Sequence, residues 1–480
     1  MNNALSLVCS ILVISLPDIT VSADSPKLRA GAAVVDITPT IFPVNMPGGF
    51  NENPAKSSHD QLSSRALVLD DGSTTIAMVV VDSLGVDPDV IEEAKVSAAA
   101  KTGIPIENML VCSTHSHSCP PSNATQGRPG DVAYRARILD GIGESIVLAH
   151  KALEPASFGS GTHALPEEVF NRRWYLKPGK MPLNPFGGLD QVKMNPGRSQ
   201  DILDRPAGPT DPDVQVISIV DERKRPMALF ANYALHYVGG IPSGQVSSDY
   251  FGEFARLMPS RMRGRADLVA MMSNGASGDI NNIPFGVTRP PREPFEQARI
   301  VARKAADAAW FAYNQIDSHR DDVSLGMRER EVTLAYRKPS ADQLEAAKKV
   351  LSITSERERA ALPRLAEAYA RRSVAAAERP DHVTVKVQAI RIGELAVCCF
   401  PFETLVEIGL DLKQVSPFPQ TIVVGIANGR YGYLPPPRQH RLGGYETWLG
   451  TNQVQVDASD ILSEHLREML SELHMGSVSQ

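Results

Sequence analysis

Five side chains able to bind a metal or move a proton stand just past apolar runs. In MLVCSTHSHSCPP (residues 109–121) the run gives way to His115 and His117, two of 11 histidines in 480 residues. MALFANYALH ends in His236, ELAVCCFPFE in Glu403, and TIVVGIANGRYGY in Tyr433. Two neutral imidazoles and a carboxylate are a common catalytic zinc set, with one position left open for water. A phenol oxygen can join when the metal lowers its pKa. Such a metal activates its water near neutral pH and polarises a carbonyl. Each residue alone has an ordinary reading. A lone histidine at a strand end is usually hydrogen-bonded, and Tyr433 alone reads as turn packing. A carboxylate such as Glu403 after a buried run must find a partner or a cation. His59 is read as structural. Ligands at four strand ends are more than scatter supplies.

The elements that must hold them are short, apolar and rich in β-branched residues. Runs at 74–82, 108–114, 213–221, 227–236, 267–275, 394–403 and 421–428 are bounded by Gly, Pro, Asn or Ser and read as buried strands. Helical patterns at 87–103 and 133–153 lie between several of them. Strands alternating with helices predict an α/β fold, with mixed β-sheets flanked by helices. Ligands of such sheets bind outside the carboxyl ends of the strands, which is where the five residues fall. Residues 340–379, rich in Ala, Glu, Arg and Leu around Pro363, predict a solvated helical hairpin inserted at the domain edge. Leu176 to Pro209 reads as a Gly/Pro-rich loop, long enough for a lid. The chain ends in a predicted helix.

Residues 1–23 read as a secretory signal, with an apolar stretch from Leu5 to Leu16 and small residues Val21-Ser22-Ala23 before Asp24. That stretch is too short to span a membrane, and no later one is long and apolar enough. The expectation is one domain over 24–480, secreted or periplasmic. A net charge of −6 gives no nucleic-acid footprint. Cys112, Cys119, Cys398 and Cys399 show no paired framework, and three of them sit in apolar runs as small buried side chains. A sequon stands at Asn123-Ala124-Thr125.

Scattered motifs from about Ala30 onward resemble the neutral/alkaline ceramidase family. STHSHSCP is similar to the family's Thr-His-Thr-His-Ser-Gly-Pro, and NYALHYVGG followed by SSDYFGEFA to its strand-end histidine and Ser-Asp helix start. FPFETLVEIG, IANGRYGY, GGYE and FNRRWYL resemble further family segments in the same order. The resemblance implies a zinc hydrolase that cleaves an N-acyl amide bond with a zinc-activated water. It implies Zn2+ ligands His115, His236, Glu403 and Tyr433. It implies that His117 holds substrate or moves protons, and that Arg172 and Tyr445 bind substrate and stabilise the oxyanion. At the family's serine position this chain has Asn281, within SNGASGDINNIPF. Asparagine can donate a hydrogen bond to a carbonyl but cannot serve as a hydroxyl nucleophile. The chain stops where the family's catalytic domain stops, so no C-terminal sandwich domain is expected.

The expected partner is a small-molecule or lipid-like N-acyl substrate, with room for a peripheral membrane contact. One rival keeps the zinc and changes the substrate to an ester, a lactone or a sugar-linked carbonyl compound. Another is a non-catalytic exported binding protein. The intact histidines, Glu403 and Tyr433 speak against the last.

Overall fold

The computed structural model describes residues 27–49, 52–124 and 127–476. The signal expected at 1–23 and Thr125 of the sequon lie outside them. Eight strands make one sheet: β1 (Arg29–Asp36), β2 (Ser63–Asp70), β3 (Thr75–Val81), β4 (Met109–Ser113), β5 (Glu154–Ala164), β6 (Asp213–Asp221), β7 (Pro226–Tyr233) and β8 (Val269–Asn274). Their order is β8-β7-β6-β5-β1-β2-β3-β4. Inner pairs are antiparallel, while the outer pairs β7–β8 and β3–β4 are parallel. A second sheet holds β9 (Leu325–Ala335), β10 (His382–Ile392), β11 (Leu395–Cys399) and β12 (Gln420–Val424), with β11 and β12 parallel.

The apolar runs are continuous because both faces of each sheet are covered. In β2, Leu67 and Leu69 face the second sheet while Ala66 and Val68 face helices. In β10, Ile390 and Ile392 face the first sheet while Val385, Val387 and Ala389 face the opposite helix layer. Helices α1 (Pro88–Thr102) and α2 (Pro129–Lys151) cover one half of the large sheet. Helices α3 (Asp249–Met262) and α4 (Glu296–Asn314) cover the other half. The expected helical pair is present between β9 and β10, as α5 (Ala341–Ser352) and α6 (Ala366–Ala377). Ser340 and Gln343 close a capping box at the start of α5. Helices α7 (Val406–Val415) and α8 (Ala458–Met475) cover the second sheet. The layers run helix, sheet, sheet, helix.

The stretch from Leu176 to Pro209 is more ordered than a loop. Val192–Met194 and Leu203–Pro206 pair on either side of Arg173–Leu176. Cys112, Cys119, Cys398 and Cys399 are buried and free.

The large sheet curls until β8 lies against β4 at its opposite edge. There the Asn274 side chain donates to the Thr114 carbonyl at 3.2 Å. The loop after β12 closes the gap: Gly425 N–H donates to the Asn274 carbonyl at 3.0 Å, and Ser113 N–H to the Ile426 carbonyl at 3.1 Å. Carboxyl ends from both sheets therefore meet at one place.

Candidate active site

That meeting place is where the chemistry-bearing residues stand. His115 follows β4 and His236 follows β7, both from the large sheet. Glu403 follows β11 and Tyr433 follows β12, both from the smaller one. Glu403 and Tyr433 are register partners in a short parallel ladder, Glu403–Thr404 on Tyr433–Leu434. His115 has a left-handed backbone, φ 61°. A non-glycine residue held there is paid for by its surroundings: His115 N–H donates to the Ser83 carbonyl at 3.0 Å.

The two histidines are oriented alike. His115 Nδ1 lies 2.6 Å from the Leu84 carbonyl, and His236 Nδ1 lies 3.0 Å from the Ser277 carbonyl. A carbonyl can only accept, so each Nδ1 carries a proton and Nε2 is the nitrogen left to face the site. Both Nε2 atoms point at Glu403, whose Oε2 is 3.3 Å from His115 and 3.5 Å from His236. His236 Nε2 and Glu403 Oε2 are buried without a formed hydrogen bond. Burial, reinforced by His115 and Arg172, holds the His236 imidazolium well below the usual range. Burial raises the Glu403 carboxyl, but His115 and His236 outweigh it and hold the group ionised.

His117 completes a triangle of rings. Its Nε2 is 3.3 Å from His115 Nε2, and its ring stacks on Tyr237 with centroids 3.8 Å apart. Burial and the neighbouring His115 lower its pKa to about 3. Nitrogens of His115, His117 and His236 lie within 4.8 Å of one another, so this trio too could hold a metal. The partners separate the roles. His115 and His236 are each pinned through Nδ1, whereas His117 Nδ1 has no partner. Gly48 seats the His117 backbone, since a Cβ there would fall 2.6 Å from the His117 carbonyl oxygen.

Arg172 Nη2 donates to the Tyr433 hydroxyl at 3.0 Å, and its Nε donates to Glu446 at 2.9 Å. Burial disfavours the Arg172 charge, but Tyr433 and Glu446 hold it. Burial and Glu403 push the Tyr433 phenol up, against the pull of Arg172. Tyr445 packs edge-on against Tyr433 at 5.5 Å, and burial pushes its hydroxyl up to about 12. His115, His117, Glu403, Tyr433 and Tyr445 line a cavity of about 380 Å³, with Arg372 and Arg430 also on its wall. His236 and Arg172 are not on that wall and back it from within.

Asn281 is placed differently. Its amide donates to Asn195 at 2.7 Å and its carbonyl accepts from Ile283 N–H at 2.9 Å. Both ends of its side chain are engaged, and it does not line the cavity. His59 stacks on Phe295 at 3.6 Å, away from the cavity lining. Glu446 was not anticipated. It is fully buried and grips both Arg172 and Arg173, the latter at 2.6 Å. The signal available was chemical: the Arg172-Arg173 doublet, if buried, needs a carboxylate.

Two packed mixed sheets flanked by helices are the fold of solved neutral ceramidases. A crystal structure of neutral ceramidase from Pseudomonas aeruginosa superposes with a TM-score of 0.69 at 17% identity, covering 94% of this chain and 75% of that one. A structure described as ceramidase complexed with C2 matches to the same extent. The chain belongs to the neutral/alkaline non-lysosomal ceramidase family, whose N-terminal region is matched by residues 28–286. Neutral ceramidase B of Dictyostelium discoideum is 23% identical over an alignment of 306 residues that covers 60% of this chain and 40% of that relative, so the chain spans less than half the length of that relative.

Proposed function

We propose that this protein is an exported, zinc-dependent amidohydrolase acting on N-acyl, lipid-like substrates. The observation that carries the reading is the pair of buried, partnerless atoms His236 Nε2 and Glu403 Oε2 beside His115 Nε2. Tetrahedral zinc ligands at 2.0–2.1 Å from the metal stand about 3.3 Å from each other. The measured 3.3 and 3.5 Å separations fit that spacing. His115, His236 and Glu403 would hold the ion, with Tyr433 as the fourth protein group. Zinc held there supplies Lewis acidity toward a carbonyl and a nucleophile at neutral pH.

The chain's own residues supply the rest. Arg172, held by Glu446, keeps positive charge against Tyr433 where an oxyanion would develop. Tyr445 keeps its hydroxyl proton at neutral pH and donates it toward the carbonyl oxygen. His117, whose Nε2 lies 3.3 Å from His115 Nε2 on the cavity wall, is assigned to holding substrate or passing a proton toward the leaving amine. Tyr445 also borders a second cavity of about 440 Å³, walled by Met181, Leu183, Val192, Leu365 and Trp448. A polar cavity beside an apolar groove suits a substrate with a scissile amide and a hydrocarbon chain. Export rests on the leader pattern of residues 1–23.

Asn281 favours a second reading, in which the zinc centre acts on an ester, a lactone or a sugar-linked carbonyl compound. The hydroxyl expected at that position is absent, and the amide there is bound to Asn195.

One experiment tests these together. Metal content of the purified protein is measured beside turnover of N-acyl lipids, N-acyl sugars and lactones, with and without chelator. The expected outcome is close to one zinc per chain, chelator-sensitive hydrolysis of N-acyl lipids, and joint loss of zinc and activity in His236→Ala. Lactone turnover alone would favour the second reading. A metal-free active protein would overturn both.

A further inference from the structure

The geometry points to a membrane-docking hairpin, residues 177–194, that seats this protein on an anionic lipid surface with its active-site groove facing the bilayer. Large exposed apolar side chains are scattered elsewhere, but Leu183, Phe186 and Leu189 fall within seven residues and are 54%, 49% and 67% exposed. Leu183 and Leu189 are bridge partners across the turn. The turn is stiff: Asn184 Oδ1 accepts from Phe186 N–H and Gly188 N–H at 3.0 and 2.9 Å. The base is anchored, because Gln191 N–H donates to the Leu442 carbonyl at 2.8 Å. Phe186 leans edge-on against Tyr369 at 5.6 Å, so Leu183 and Leu189 are the side chains held out. Water penalises apolar side chains held out in this way, and an apolar medium relieves the penalty.

Charge names the medium. The whole chain carries −6, yet residues 177–194 contain three lysines and one aspartate. Lys177 and Lys180 are exposed. Lys193 and Arg364 stand together on the groove wall, and burial, helped by Arg364, lowers the Lys193 pKa. The aspartate, Asp190, is turned inward onto Asn184 at 3.1 Å and Trp448 at 2.8 Å. An apolar tip with a lysine collar matches an anionic headgroup layer over hydrocarbon. Leu183 belongs to both the tip and the apolar groove that reaches Tyr445. A chain leaving the bilayer could therefore enter the groove without crossing water. Only this last step rests on the proposed hydrolase function; the docking does not.

Flotation with vesicles of equimolar phosphatidylcholine and phosphatidylglycerol tests it. The wild-type protein is expected to float with the vesicles. Leu189→Gln should lower the partition coefficient by about tenfold, with an unchanged melting temperature and unchanged turnover of a water-soluble short-chain N-acyl substrate. In a second variant, Leu189→Trp, the added fluorescence should be quenched by brominated acyl chains. Wild-type protein that stays with the soluble fraction, or a Leu189→Gln variant that floats equally well, would overturn the docking. Docking without turnover of any N-acyl substrate would leave the hairpin standing and remove the N-acyl amidohydrolase reading.

Discussion

At the residue scale, burial sets the protonation of His117 and His236, while Glu403 is set by its neighbours against burial. Neutral His117 and His236 sit beside an ionised Glu403, the state a divalent cation requires. Away from the site the same force acts on Lys95. Its ammonium is fully buried, has no hydrogen-bond partner, and lies 3.8 Å from Glu329. Burial, against the pull of Glu329, lowers its pKa from 10.5 to about 8. Between those values the unfolded chain keeps the proton and the folded chain has lost it, so stability rises as pH climbs from 8 to 10.5. The full effect is about 3 kcal/mol. Lys95→Met should therefore stabilise the protein at pH 7 and flatten that rise. Glu329 keeps Lys386 at 3.2 Å and Gln388 at 2.7 Å in the variant. Denaturant midpoints of both proteins across pH 7 to 10.5 check this, and parallel slopes would refute it.

At the element scale, the site depends on strand ends that hold one another. Gly278 N–H donates to the Thr404 carbonyl at 2.8 Å, and a Cβ at Gly278 would fall 2.4 Å from the Glu403 carbonyl oxygen. That atom is backbone, so it cannot swing aside. Gly278→Ala should push the Glu403–Thr404 strand off its place. The expected cost is about 1–3 kcal/mol in stability and about tenfold or more in zinc affinity. Denaturant melts and zinc titration measure the two separately. The strands that carry site residues were legible in the sequence because each is a continuous apolar run ending in a polar ligand. β5 was not, because its Gly and Ser residues break the apolar pattern, and charged side chains interrupt β9. The α5–α6 pair was legible from its amphipathic composition. The strands within Leu176–Pro209 were hidden by short length and many Gly and Pro.

At the scale of the whole molecule, the site spans the seam between two sheets. His115 and His236 come from one, Glu403 and Tyr433 from the other. On the proposed zinc reading, loosening the seam should release the metal as it melts the fold. Ile390 is fully buried in the core shared by both sheets. Ile390→Ala should cost about 2–5 kcal/mol, and zinc loss should track tryptophan fluorescence along a denaturant series. Zinc released well before the fluorescence change would argue that the site sits in one sheet alone.

The sequence by itself determined which residue types stand at strand ends, because ligand chemistry and apolar runs are local properties. It also carried the family relationship. Only the tertiary structure decided that β8 curls round to β4, that Glu446 clamps Arg172 and Arg173, and that Asn281 turns to Asn195. Each of those depends on contacts between residues far apart in the chain, 274 positions for Arg172 and Glu446. No local pattern encodes such a contact; the packing of two sheets against their helices creates it.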